Sequence, residues 1–117
     1  MTEGVKIDTV RSYSSGMVGR ALNSARTNHF ILDSPSGPNE ALTNGEAFLS
    51  GISSCGVTLI EGYAQQHSIP LRRIEVTIEG VRSLATPNRF QAINMHFELA
   101  GVDQAQAADL VETYKGR

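Results

Sequence analysis

From Thr43 to Gln66 the chain reads TNGEAFLSGISSCGVTLIEGYAQQ, a proline-free stretch that carries the only cysteine, Cys55. Thr43 and Glu46 stand at the spacing of a capping box, in which a hydroxyl and a carboxylate satisfy the first free amides of a helix. The pattern predicts one helix of about 23 residues, roughly 34 Å long at 1.5 Å per residue. Its three internal glycines, Gly51, Gly56 and Gly62, oppose the helix by about 1 kcal/mol each relative to alanine. At 100° per residue, Ala47, Gly51, Ser54, Thr58 and Gly62 fall on one stripe of small side chains that another backbone could approach closely. Phe48, Ile52, Leu59 and Tyr63 form an adjoining bulky stripe, and Cys55 lies at the seam. Leu49, Val57, Ile60 and Ala64 occupy the far side, so the helix is apolar nearly all round and predicts burial on every side. A chain of 117 residues has few elements with which to cover such a helix, and the expectation is that a second copy supplies part of the cover.

The rest of the chain is arranged around that element. Three β segments are expected before it, at 5–14, 17–25 and 29–33, the first two joined as a hairpin through Ser15-Gly16. Arg20 alternates with Val18 and Leu22 on the expected inward face, where a guanidinium needs an acceptor. Residues 34–42, SPSGPNEAL, hold two prolines and a glycine and read as a loop. After the helix, 71–83 alternates Ile74, Val76 and Ile78 with Glu75, Thr77 and Glu79. Residues 89–99 repeat the pattern with Ile93, Met95, Phe97 and Leu99, giving two half-buried strands. Asp103 and Gln106 form a second capping-box pattern, followed by Ala107, Leu110, Val111 and Tyr114 at helical spacing.

Composition narrows the function classes. Hydrophobic residues make up 40% and charged residues 19%, with a net charge of −2 and no basic cluster, which gives no reason to expect nucleic acid or an anionic membrane as partner. The first ten residues lack a signal-peptide pattern and no apolar run could span a bilayer, so a cytoplasmic location and a single domain over 1–117 are expected. One cysteine allows no internal disulfide; Cys55 is core filling, a reactive thiol, or half of a pair with a thiol elsewhere. His29, His67 and His96 have no companion at metal-ligand spacing, so neither a metal nor another cofactor is expected. Ser53 and Ser54 lie within the helix and lack the strand-to-helix elbow of a serine hydrolase.

The order of these elements, with His29-Phe30-Ile31-Leu32-Asp33-Ser34-Pro35, Glu46-Ala47-Phe48-Leu49, Cys55, and the segments 64–80, 89–99 and 107–114, resembles the OsmC/Ohr superfamily of osmotically inducible and organic hydroperoxide resistance proteins. The resemblance implies an α+β fold: an antiparallel β-meander, a long central cysteine-bearing helix, a second strand pair and a short helix, assembled as an intertwined homodimer. It further implies Cys55 as a peroxidatic thiolate, an arginine of the meander (Arg20, with Arg26 behind it) that lowers its pKa and orients the peroxide, and Glu46 as the carboxylate holding that arginine. Where the hydroperoxide-resistance branch carries its glutamate, ten positions before the cysteine, this chain has Gly45; Glu46 follows the broader OsmC-like pattern. The resolving cysteine of the family is expected beyond Arg117, and otherwise an external thiol reductant is required. The function so implied is reduction of organic hydroperoxides under oxidative or osmotic stress. The alternatives are a non-catalytic dimeric module that binds a small apolar ligand at the subunit interface, with Cys55 as packing, and a purely structural homodimer.

Overall fold

The computed structural model describes residues 4–116. The order of elements is three strands, β1 (Arg11–Ser14), β2 (Arg20–Ala25) and β3 (Asn28–Asp33); helix α1 (Asn44–Gln66); strands β4 (Arg73–Val81) and β5 (Ala92–Ala100); and helix α2 (Gln104–Lys115). This is the expected α+β architecture, with antiparallel strands in sheets of order β1-β2-β3 and β4-β5. The chain forms two compact units, one ending at Ala47 and one beginning at Phe48.

In the first unit the β2–β3 hairpin turns through Arg26 and Thr27, with Arg26 in the left-handed region at φ 56°. That tight turn fixes the register, pairing Leu22 with Ile31 and Arg20 with Asp33. The meander differs from expectation at its start. Residues 5–10 are not strand, because Arg11 pairs with Ser24 and β2 ends one residue later at Ala25, leaving nothing for earlier residues to pair with. Val18 is 97% exposed in the turn before β2, not on an inward face, whereas Arg20 and Leu22 are half-buried. Gly19, at φ 87°, lies so close to Gly37 that a side chain on either would overlap the other's backbone. Ser34 N–H donates to Gly19 O at 2.7 Å across the same approach. The 34–42 loop is thereby seated on the turn that delivers Arg20.

In the second unit the core is Ile60, Ala64 and Leu110, with Tyr63, Ile74, Phe97, Leu99 and Tyr114 packed against it. The alternation read along β4 is present: Ile74, Val76 and Ile78 are half-buried while Glu75, Thr77 and Glu79 are exposed. Along β5 it holds for Met95, Phe97 and Leu99, but Ile93, expected on the same covered face, is exposed at the turn end of the strand. Both strands are a little shorter than their patterns at the turn end, where Ser83 and Thr86 pair as an isolated bridge. Gly80 sits under the ring of Phe90, which occupies the space any side chain there would need. Both capping boxes form. Thr43 Oγ1 accepts the Glu46 amide at 3.1 Å and Glu46 Oε1 accepts the Thr43 amide at 2.9 Å; Asp103 and Gln106 make the same exchange at the start of α2.

Helix α1 is covered on one side. Gly56, Ile60 and Ala64 are buried, a Cβ added at Gly56 would touch the rings of Phe97 and Tyr114, and Tyr114 Oη donates to Ile52 O at 3.1 Å. The opposite stripe, Phe48, Gly51, Cys55, Thr58 and Gly62, is exposed. A methyl group added at Gly51 or Gly62 would meet nothing within 4 Å. Of the small-residue stripe, Gly51, Ser54, Thr58 and Gly62 are exposed and Ala47 is half-buried.

Candidate functional site

Arg20 is the most firmly held ionic side chain of the first unit. Cross-strand pairing puts Arg20 and Asp33 on the same face of the meander. Arg20 Nε donates to Asp33 Oδ1 at 2.8 Å and Nη2 to Asp33 Oδ2 at 3.0 Å, a bidentate fork. Asp33 is fully buried, and its Oδ2 also accepts the Glu40 and Ala41 amides at 2.8 and 2.9 Å. The Asp33 amide donates to Leu42 O at 2.9 Å. One residue thus fastens the guanidinium and both ends of the loop leading to α1. Glu40 adds a second carboxylate, its Oε1 3.0 Å from Arg20 Nη2, on a side chain that is 72% exposed.

The hydrogen bond from Arg20 holds the Asp33 carboxyl well below the ordinary carboxylate range, aided by the two backbone amides and opposed by burial. The bonds to Asp33 and Glu40 push Arg20 further up, so it is a permanent cation. On the same face, one register step along, Tyr13, Leu22 and Ile31 form a cross-strand apolar row. With His29, Phe30 and Asn23 they line a groove of about 490 Å³. A fixed cation beside an apolar row can receive an oxygen acceptor on an otherwise apolar molecule.

The acceptor that Arg20 requires is therefore Asp33 with Glu40. Asp33 was not singled out as a site residue by sequence, although a two-residue turn at Arg26-Thr27 would have placed it opposite Arg20. The Glu46 carboxylate is engaged with Thr43 at the helix cap, and Arg26 occupies the β2–β3 turn. Cys55 belongs to the second unit, where its free thiol is exposed at the middle of the α1 stripe. Among the described residues no group of His, Cys, Asp and Glu could hold a metal ion, and no helix is long and apolar enough to cross a membrane.

Residues 37–117 match the OsmC family, described as OsmC-like protein. The chain belongs to the OsmC-like protein family. Its fold is shared with the OsmC-like protein of Mycoplasma pneumoniae, at TM-score 0.83 and 17% identity over 96% of this chain and 82% of that one. The organic hydroperoxide resistance protein OsmC of Legionella pneumophila superposes at TM-score 0.72 and 19% identity, covering 95% and 83%. The organic hydroperoxide resistance protein OhrB of Bacillus subtilis gives 0.66 and 14%, covering 95% and 84%. At these identities the likeness is one of fold. Comparison with curated protein sequences gives no match. The OsmC-like match begins at residue 37 and so includes the whole cysteine helix, while the meander that carries Arg20 and Asp33 enters the likeness through the fold.

Proposed function

We propose that this OsmC-like protein reduces organic hydroperoxides through Cys55, working as a homodimer in the cytoplasm. The observation that carries the reading is the exposed thiol at the centre of the long family helix; a cysteine serving only as this chain's own core filling would be buried among Ile60, Ala64 and Leu110. In the proposed reaction the Cys55 thiolate attacks the outer oxygen of the hydroperoxide. The O–O bond breaks, the alkoxide leaves and takes a proton to become the alcohol, and Cys55 becomes a sulfenic acid. A thiol reductant attacks the sulfenic sulfur and releases water. A second thiol then displaces Cys55 from the mixed disulfide, so one hydroperoxide consumes two thiols.

Arg20 supplies the positive charge that favours thiolate and departing alkoxide, and Glu46 fixes the start of the cysteine helix. The apolar row of Tyr13, Leu22 and Ile31 suits the carbon body of an organic peroxide. A second copy covers the Gly51, Thr58 and Gly62 stripe, with Cys55 at its edge left open to the peroxide, a reading supported by the open space at Gly51 and Gly62.

The test is stopped-flow consumption of cumene hydroperoxide with a dithiol reductant, comparing the protein with Cys55→Ser. Turnover in the first and none in the second is expected. Equal, negligible turnover in both ends the peroxidase reading and leaves the ligand-binding module.

A further inference from the structure

We infer that two carboxylates divide the holding of Arg20: Asp33 is its permanent positioning residue, and Glu40 is a displaceable occupant whose place on Nη2 is taken by the acceptor oxygen of the substrate. The inference rests on the hydroperoxide reading for the nature of that substrate, and on geometry alone for the division of roles. Asp33 is fully buried, and its carboxylate accepts two bonds from Arg20 and two from backbone amides. Withdrawing it would strand a buried charge and release the loop, so it does not exchange. Glu40 is the opposite case. Its backbone amide is tied to Asp33 Oδ2, so its position along the chain is fixed. Its carboxylate is solvated and makes one bond to the guanidinium, at 3.0 Å. Exchange of such an exposed carboxylate for another acceptor changes little in free energy.

The chemistry matches the arrangement. Nη2 is shared between the buried and the exposed carboxylate, while Nε is committed to Asp33 alone. Removing Glu40's charge leaves the fork with Asp33 intact and frees a donor beside the apolar row. In this chain the carboxylates that hold the meander arginine thus come from the end of β3 and from the 34–42 loop, while Glu46, where the family pattern looks for that partner, serves the helix cap.

The experiment measures hydrogen exchange at the Arg20 Nε–H by NMR, together with the kinetics of cumene hydroperoxide reduction, in the wild type, Glu40→Gln and Asp33→Asn. The Arg20 Nε–H is expected to be protected in the wild type and in Glu40→Gln, and unprotected in Asp33→Asn. Glu40→Gln is expected to lower KM several-fold with kcat nearly unchanged, and Asp33→Asn to reduce kcat/KM by roughly tenfold or more, the effect of losing a charged hydrogen bond. Loss of Nε–H protection in Glu40→Gln, or its survival in Asp33→Asn, overturns the division of roles. So does a raised KM in Glu40→Gln. If Asp33→Asn fails to fold, wild type against Glu40→Gln decides by the same protection criterion. If the wild type turns over no hydroperoxide, the peroxidase reading fails while the exchange measurement still decides which carboxylate holds Arg20.

Discussion

Asp33 shows how much one residue can organise. A carboxylate with four accepted hydrogen bonds is stable in a buried position because every bond favours its charged form over the neutral acid. Its pKa is depressed, so its contribution to stability is fully present above the ordinary carboxylate pKa of about 3.9 and is lost as pH falls below that value toward the depressed one. Wild type and Asp33→Asn, followed by chemical denaturation from pH 7 downward, should therefore differ most at neutral pH and converge in acid. A constant difference across that range would mean that Asp33 contributes through packing and not through its charge. Sequence periodicity showed that Arg20 needed an acceptor but not which one. Asp33 lies thirteen positions away, and only the register set by the Arg26-Thr27 turn brings the two opposite each other. Reading that turn as a two-residue hairpin loop, against the alternation of His29, Ile31 and Asp33, was the available signal.

At the scale of elements, local chemistry was the legible part. Both capping boxes, the α1 span and the alternation of β4 depend on neighbours close in sequence, and they stand where the residues put them. Thr43→Ala should remove the Oγ1 acceptor of the Glu46 amide and destabilise the protein by about 1 kcal/mol, readable as a lowered denaturation midpoint with unchanged slope. Non-local conditions were not legible. The start of β1 depends on where β2 stops, and the exposure of Val18 on a turn whose shape Gly19 and Gly37 set together. The apolar row belongs to this scale as well. Ile31 is 44% exposed beside Leu22, so Ile31→Ser should raise KM for cumene hydroperoxide several-fold, each buried Å² being worth about 25 cal/mol. It should leave hydrogen peroxide reduction little changed. Equal effects on both peroxides would detach the row from substrate recognition.

For the whole molecule, the uneven cover of α1 is the defining property. Gly56, Ile60 and Ala64 face the chain's own core, while Phe48, 56% exposed, and the stripe through Gly51, Cys55 and Gly62 face outward. The all-round apolar pattern was legible in the sequence, but not which of its residues are buried, Gly56, Ile60 and Ala64, and which are exposed, Gly51, Cys55 and Gly62. With a second copy on the exposed stripe, the protein should sediment as a dimer at micromolar concentration. Gly51→Leu, at a position where an added Cβ meets nothing within 4 Å, should drive it to monomer while retaining helical circular dichroism. A wild-type monomer of normal stability would contradict the dimer.

The central claim is that Cys55 is an oxidisable nucleophile for organic hydroperoxides. Intact-protein mass spectrometry after one equivalent of cumene hydroperoxide, without reductant and with a sulfenic-acid trap, tests it most directly. The prediction is one trapped sulfenic acid, located at Cys55, with an equivalent of cumyl alcohol released. Unmodified protein and unconsumed hydroperoxide, from a folded sample whose Cys55 remains a free thiol, would contradict it.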